Sequence, residues 1–252
     1  MSATPPTPPD RIARPEETVA QLPVRNVDSP SRRVVALGIV LFVSFGHFIA
    51  SSAYYSMGGI GPTDSRQYQV RLLGALIAEA GSLAVLWYVL SAQGRSWKSI
   101  GWNNLRWTDI PRALGLAVGS TFAGYMILVA FQISFHASSG HYLATKSMHG
   151  MLGNVSVLSF AFVCVNPFFE ELIVRGYLMT EIVELGGKGA LAIVLSVAVQ
   201  MSYHLYQGLS NCIVLTTIFV VSSIYFLRSR RIAPVVLAHL CIDAYALFRG
   251  SA

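Results

Sequence analysis

The chain has 252 residues, of which 54% are apolar and only 12% charged, and its mean hydropathy is +0.55. Those values exclude an ordinary soluble domain of this length. The net charge of +6 does not indicate nucleic acid, because the basic residues sit in the N-terminal tail and between apolar runs, not interleaved with aromatics along one face.

Residues 1–32 begin MSATPPTPPDRIARPEETVAQLPVRNVDSP, a proline-rich, polar stretch without periodicity, and read as a disordered tail. The first apolar run starts near Val34 and is as long as a full span, unlike the short apolar region of a cleaved signal peptide, so the tail is expected to stay attached. Seven apolar runs follow, at about 33–54, 69–92, 110–135, 154–182, 188–206, 209–228 and 232–249. A bilayer core leaves only helices or closed barrels, and these runs are too long and too uniformly apolar for barrel strands. Residues 33–252 are therefore predicted to be an all-α, polytopic transmembrane bundle of about seven spans, with room for a short eighth. The loop QGRSWKSIGWNNLRWT at 93–108 sets Trp97, Trp102 and Trp107 beside Arg and Lys, as a headgroup anchor would. Cys164, Cys212 and Cys241 each lie in an apolar run without paired spacing and read as small buried residues, not as a disulfide or zinc set.

With seven spans, Arg11, Arg14, Arg25, Arg32, Arg33, Arg95, Lys98, Arg106, Arg112, Lys188, Arg228, Arg230 and Arg231 fall on one side of the membrane. Only Arg66, Arg71, Lys146 and Arg249 fall on the other. The positive-inside rule then places the N-terminus in the cytoplasm and the C-terminus outside, and a bacterial inner membrane is the expected location.

An ionisable side chain at the bilayer centre costs about 2.5–3.5 kcal/mol even on the lenient insertion scale. The spans hold His47, Glu79, Glu170, Glu171, Arg175, His204, His239 and Asp243. In NPFFEELIVRGYL, Glu171 and Arg175 are i and i+4 and can pair, whereas Glu170 points about 100° away and is left to face something else. His239 and Asp243 in HLCID are again i and i+4, so the carboxylate can orient the imidazole or both can face one ligand. Counted from a turn near Gly186, Glu170 and His204 lie at similar heights of about 24 and 27 Å. His239 is only about 12 Å above its own turn, and either tilt or a protruding Glu181–Lys188 turn has to close that gap. Four acids against one arginine exceed what interhelical ion pairing needs, and an unpaired glutamate near histidines is what water activation requires.

E-E-x-x-x-R at Glu170, Glu171 and Arg175, a histidine about 30 residues on at His204, and H-x-x-x-D at His239 and Asp243 resemble the three motifs of the CPBP (CAAX protease and bacteriocin-processing, or Abi) intramembrane proteases. The resemblance covers about residues 95–248. It implies a multi-spanning helical hydrolase that cleaves a membrane-associated protein or peptide, with the bilayer as its other partner and no nucleic acid. It further implies that Glu170 activates water, that His204 holds or polarises it, that His239 and Asp243 stabilise the tetrahedral oxyanion, and that Glu171 and Arg175 are structural. No cofactor is favoured, since no H-E-x-x-H motif stands here. The historical metalloprotease label makes zinc on Glu170, His204 and His239 the alternative. Two departures stand out. Gln200 occupies the place of the phenylalanine in the usual F-x-x-x-H motif, and Asp243 stands where many relatives have asparagine.

Two non-enzymatic readings compete: a membrane scaffold or regulator, and a small proton-coupled transporter using Glu79 and His47. Paired glycine- or proline-broken spans in matching halves are not evident, and Pro167 breaks only one. For Glu79 the sequence permits either an interhelical hydrogen bond or a pair with Arg175.

Overall fold

A computed structural model describes residues 29–59, 64–134 and 155–249. Most of the tail, with Arg11, Arg14 and Arg25, and the loop containing Lys146 lie outside the described residues. Among those described, the protein is all helical: α1 (Pro30–Ser56), α2 (Ser65–Ala92), α3 (Asp109–Ser134), α4 (Val157–Glu184), α5 (Gly189–Ser202), α6 (Leu209–Ser229) and α7 (Ala233–Arg249). The seven helices match the seven predicted spans to within a few residues, and α1 begins at Pro30, inside the stretch read as tail. Five are long and apolar enough to cross a membrane; α5 and α7 are shorter.

Local signals set the ends. Asp64 caps α2 by accepting the Gln67 amide at 2.8 Å, and Ser156 and Ser159 form a reciprocal capping box at the start of α4. α4 is the central post. Residues 169–182 are all buried, and the helix loosens into a π-helical stretch, Leu172–Met179, just after the two glutamates. α2, α5 and α7 pack around it, while α3 packs on α6 and α7.

One departure from the predicted spans is at α5, expected to run to 206. It stops at Ser202, and Tyr203–Gly208 leave the α-helix through a single 3₁₀ turn at Leu205–Gln207. Non-helical backbone at membrane depth is tolerated where protein buries it or a cavity borders it, and this segment borders a cavity.

Close backbone contacts fix the helix register near the N-terminal side of the bundle. Gly101 adopts φ 90°, and its carbonyl accepts the Ile232 amide at 3.1 Å just before α7; a Cβ on Gly101 would lie 2.7 Å from the Phe226 ring. A Cβ built on Gly176 would lie 3.0 Å from the Ile100 carbonyl. α7 therefore starts level with Gly176, about two-thirds of the way along α4, and α4 projects about 12 Å further, over the eight residues to Glu184. The projecting end is clasped by charge. Glu181, fully buried, accepts Arg33 Nε at 2.9 Å and is also paired with Arg95, while Arg231 binds Asp109 at the start of α3 at 2.5 Å.

Candidate active site

The two adjacent glutamates of α4 separate as their 100° offset requires. Glu171 Oε1 accepts Arg175 Nη1 at 2.9 Å, and Arg175, with no exposed surface, also faces the Phe219 carbonyl at 3.4 Å and stands 5.1 Å from the Phe219 ring centre. Glu170 turns the other way. Its Oε2 accepts the side-chain amide of Gln200 at 3.1 Å, and no cation pairs with it among the described residues. Gln200 thus replaces an apolar wall with a hydrogen bond to Glu170. One helical turn separates Gln200 from His204, a spacing that could have suggested this contact.

His204 lies beyond the end of α5, not on the helix where the sequence placed it. Its Nδ1 is 2.8 Å from the Gln200 carbonyl. A carbonyl can only accept, so Nδ1 carries the hydrogen and Nε2 is the nitrogen left for another partner. His239 is held between two acids: Nδ1 is 2.9 Å from Glu171 Oε1, and Nε2 is 3.4 Å from Asp243 Oδ2. The height gap expected for His239 is closed by the projecting α4 turn, since α7 begins level with Gly176. Glu171 consequently serves two partners, Arg175 and His239, where the sequence assigned it one.

Glu170, His204, His239 and Asp243 line one cavity of about 110 Å³, together with Asn166, which lies one helical turn before Glu170. Its other walls come from the C-terminal half of α1 (Phe48 to Tyr55), the N-terminal part of α2 (Arg71 to Ala75) and Tyr203–Gln207. The rim residues Tyr55, Arg71, Tyr206 and Gln207 lie at the end of the bundle opposite the N-terminus of α1. A larger cleft of about 430 Å³ lies across α4, lined by Leu83, Trp97, Trp102, Cys164, Val165, Phe168 and Leu172. It holds none of the site's ionisable groups.

Several expectations need correction. Glu79 does not pair with Arg175, whose carboxylate is Glu171; it is fully buried, and neither carboxyl oxygen has a hydrogen-bond partner among the described residues. Glu79 is absent from the cavity lining and His47 is exposed on α1, so the path sketched for a transporter is not assembled. Trp97 and Trp102 pack against the core beside α4, with Trp102 5.6 Å from the Phe168 ring, and of the loop tryptophans only Trp107 is exposed, at 80%. Cys164 and Cys212 are only half-buried and Cys241 is exposed on α7, an outer helix whose apolar thiol can face lipid. Among the described residues no group of three His, Cys, Asp or Glu side chains is placed to hold a metal ion. Gln200 holds Glu170 Oε2 and His204 Nδ1, and Glu171 and Asp243 flank His239, while His204 Nε2 stays open.

The state of Glu79 yields a prediction. A buried carboxyl without a partner is a net cost to folding. Glu79→Leu is expected to leave the melting temperature unchanged or raise it by about 2–4 °C, the shift of roughly 1 kcal/mol in a chain of this size. Thermal melting in detergent measures this, and a fall of several degrees would mean that Glu79 has a stabilising partner.

Residues 152–245 match the family model described as Type II CAAX prenyl endopeptidase Rce1-like. The matched stretch contains Glu170, Glu171, Arg175, His204, His239 and Asp243, and the family is the one the three motifs resemble. No curated protein and no solved structure matches the chain.

Proposed function

From the premise of an integral membrane protein carrying an Rce1-like endopeptidase domain, we propose that the chain is a glutamate-dependent intramembrane endopeptidase. One observation carries this reading. Of two adjacent buried glutamates, Glu171 is bound by Arg175 and His239, while Glu170 lines the cavity, held by the Gln200 amide and unpaired with any cation among the described residues. In the proposed step Glu170 takes a proton from a water that His204 Nε2 helps to hold, and the hydroxide attacks the peptide carbonyl carbon. His239, its ring fixed through Nδ1 by Glu171, turns Nε2–H from its 3.4 Å contact with Asp243 to the tetrahedral oxyanion. The C–N bond breaks, and the proton held by Glu170 passes to the leaving amine.

Comparing membrane proteomes of cells that carry the wild type or Glu170→Ala tests this reading. A protein whose terminus depends on Glu170 supports it, and unchanged termini across the membrane fraction count against it. With water activated by carboxylate and histidine alone, activity is expected to survive exhaustive dialysis against a strong chelator. Stoichiometric zinc, lost together with activity and restored with it, would decide for a metalloenzyme.

We also propose a cytoplasmic N-terminus, as the distribution of Lys and Arg favours. The rim of the cavity then opens on the extracytoplasmic side. In a chain with its three cysteines replaced by alanine, Ser56→Cys is expected to react with a membrane-impermeant maleimide in intact cells, and Ser99→Cys only after lysis. The reverse pattern would invert the topology.

A further inference from the structure

The cavity has one guanidinium or ammonium group in its lining, Arg71, and nothing in the proposed chemistry uses it. Arg71 stacks on Tyr55, with Cζ 4.7 Å from the ring centre, which orients the guanidinium at the rim. It makes no ion pair among the described residues. The sequence offers little to neutralise it. The stretches that follow α1, α3, α5 and α7 in the sequence (57–64, 135–156, 203–208 and 250–252) contain a single acid, Asp64, which is the α2 cap.

The register of α2 on α4 sets the distance from Arg71 to the chemistry. Both helices run in the same direction, Gln69 Nε2 donates to Ser156 Oγ at 3.1 Å, and Leu72 clusters with Phe162 and Val163. Arg71 is therefore level with roughly residue 160, and Glu170 lies about 15 Å deeper at 1.5 Å per residue. An extended peptide covers that depth in about four to five residues.

We propose that Arg71 is the anionic subsite of the cavity: it binds a carboxylate of the peptide substrate, no more than about five residues from the scissile bond. The inference rests on the endopeptidase reading for the bond but not for the binding. A planar guanidinium held by an aromatic face suits a carboxylate, and its charge is not spent on the protein's own acids. The carboxylate can be the peptide's C-terminus or an acidic side chain.

Fluorescent apolar octapeptides in three forms are to be titrated by anisotropy against full-length Glu170→Gln protein in detergent. One form has a free C-terminal carboxylate, one has an amidated end and a single internal glutamate, and one is amidated without an acid. At least one acidic form is expected to bind about tenfold more tightly than the neutral form, and which one identifies the source of the carboxylate. Adding Arg71→Leu should abolish the preference, Arg71→Lys should keep most of it, and Arg71→Gln serves if Arg71→Leu does not melt cooperatively. Equal binding of all three peptides, or a preference undiminished without the Arg71 charge, overturns the proposal. Binding needs no turnover, so a lack of Glu170-dependent cleavage of these peptides by the wild type would count against the peptidase reading separately.

Discussion

Glu170→Gln is expected to lower the cleavage rate by about 10²–10⁴-fold, the range that a positioned general base contributes, while the protein folds and inserts normally. The substitution keeps the shape of the side chain, and its amide oxygen can still accept the Gln200 N–H that reaches Glu170 Oε2 at 3.1 Å. What disappears is the group that takes a proton from water. The matching change one residue on should behave differently. Glu171 Oε1 meets both Arg175 and His239 at 2.9 Å, so Glu171→Gln removes a buried charge from two partners and is expected to reduce the yield of folded protein as well as activity. Rates from purified protein, with the folded fraction determined by size-exclusion chromatography, separate the two outcomes. Full cleavage by purified Glu170→Gln would falsify its assignment as the base.

The largest loss of stability is expected from Arg175→Leu. Arg175 has no exposed surface, and its removal leaves the Glu171 carboxylate facing only His239 inside the bundle. Breaking one side of a buried pair commonly costs about 3–5 kcal/mol, here a fall in melting temperature of roughly 10 °C. Glu171→Leu in the same chain should recover part of that loss, because no uncompensated carboxylate then remains. It should not recover activity, since His239 has lost the acid that holds its Nδ1. Strictly additive losses in this double-mutant cycle would show that the two residues are not coupled.

Much of this protein was determined along the chain itself. Seven apolar runs became seven helices because lipid forces each segment to satisfy its own backbone, a local requirement that composition and length reveal. The Glu171–Arg175 pair and the opposite heading of Glu170 follow from helical spacing within one helix, so they too were legible. The tertiary structure decided what depends on how helices stand against one another. Gly101 against Ile232 and Gly176 against Ile100 set the start of α7 level with Gly176 of α4, which brings His239 onto Glu171. The early end of α5 depends on the tertiary structure, because Tyr203, His204, Tyr206 and Gln207 line a cavity, where backbone can leave the helix. The partner of Glu79 had the same dependence. A carboxyl in an apolar run can be costly or compensated according to which helix turns toward it, and the packing of this bundle leaves it buried with neither oxygen bonded among the described residues.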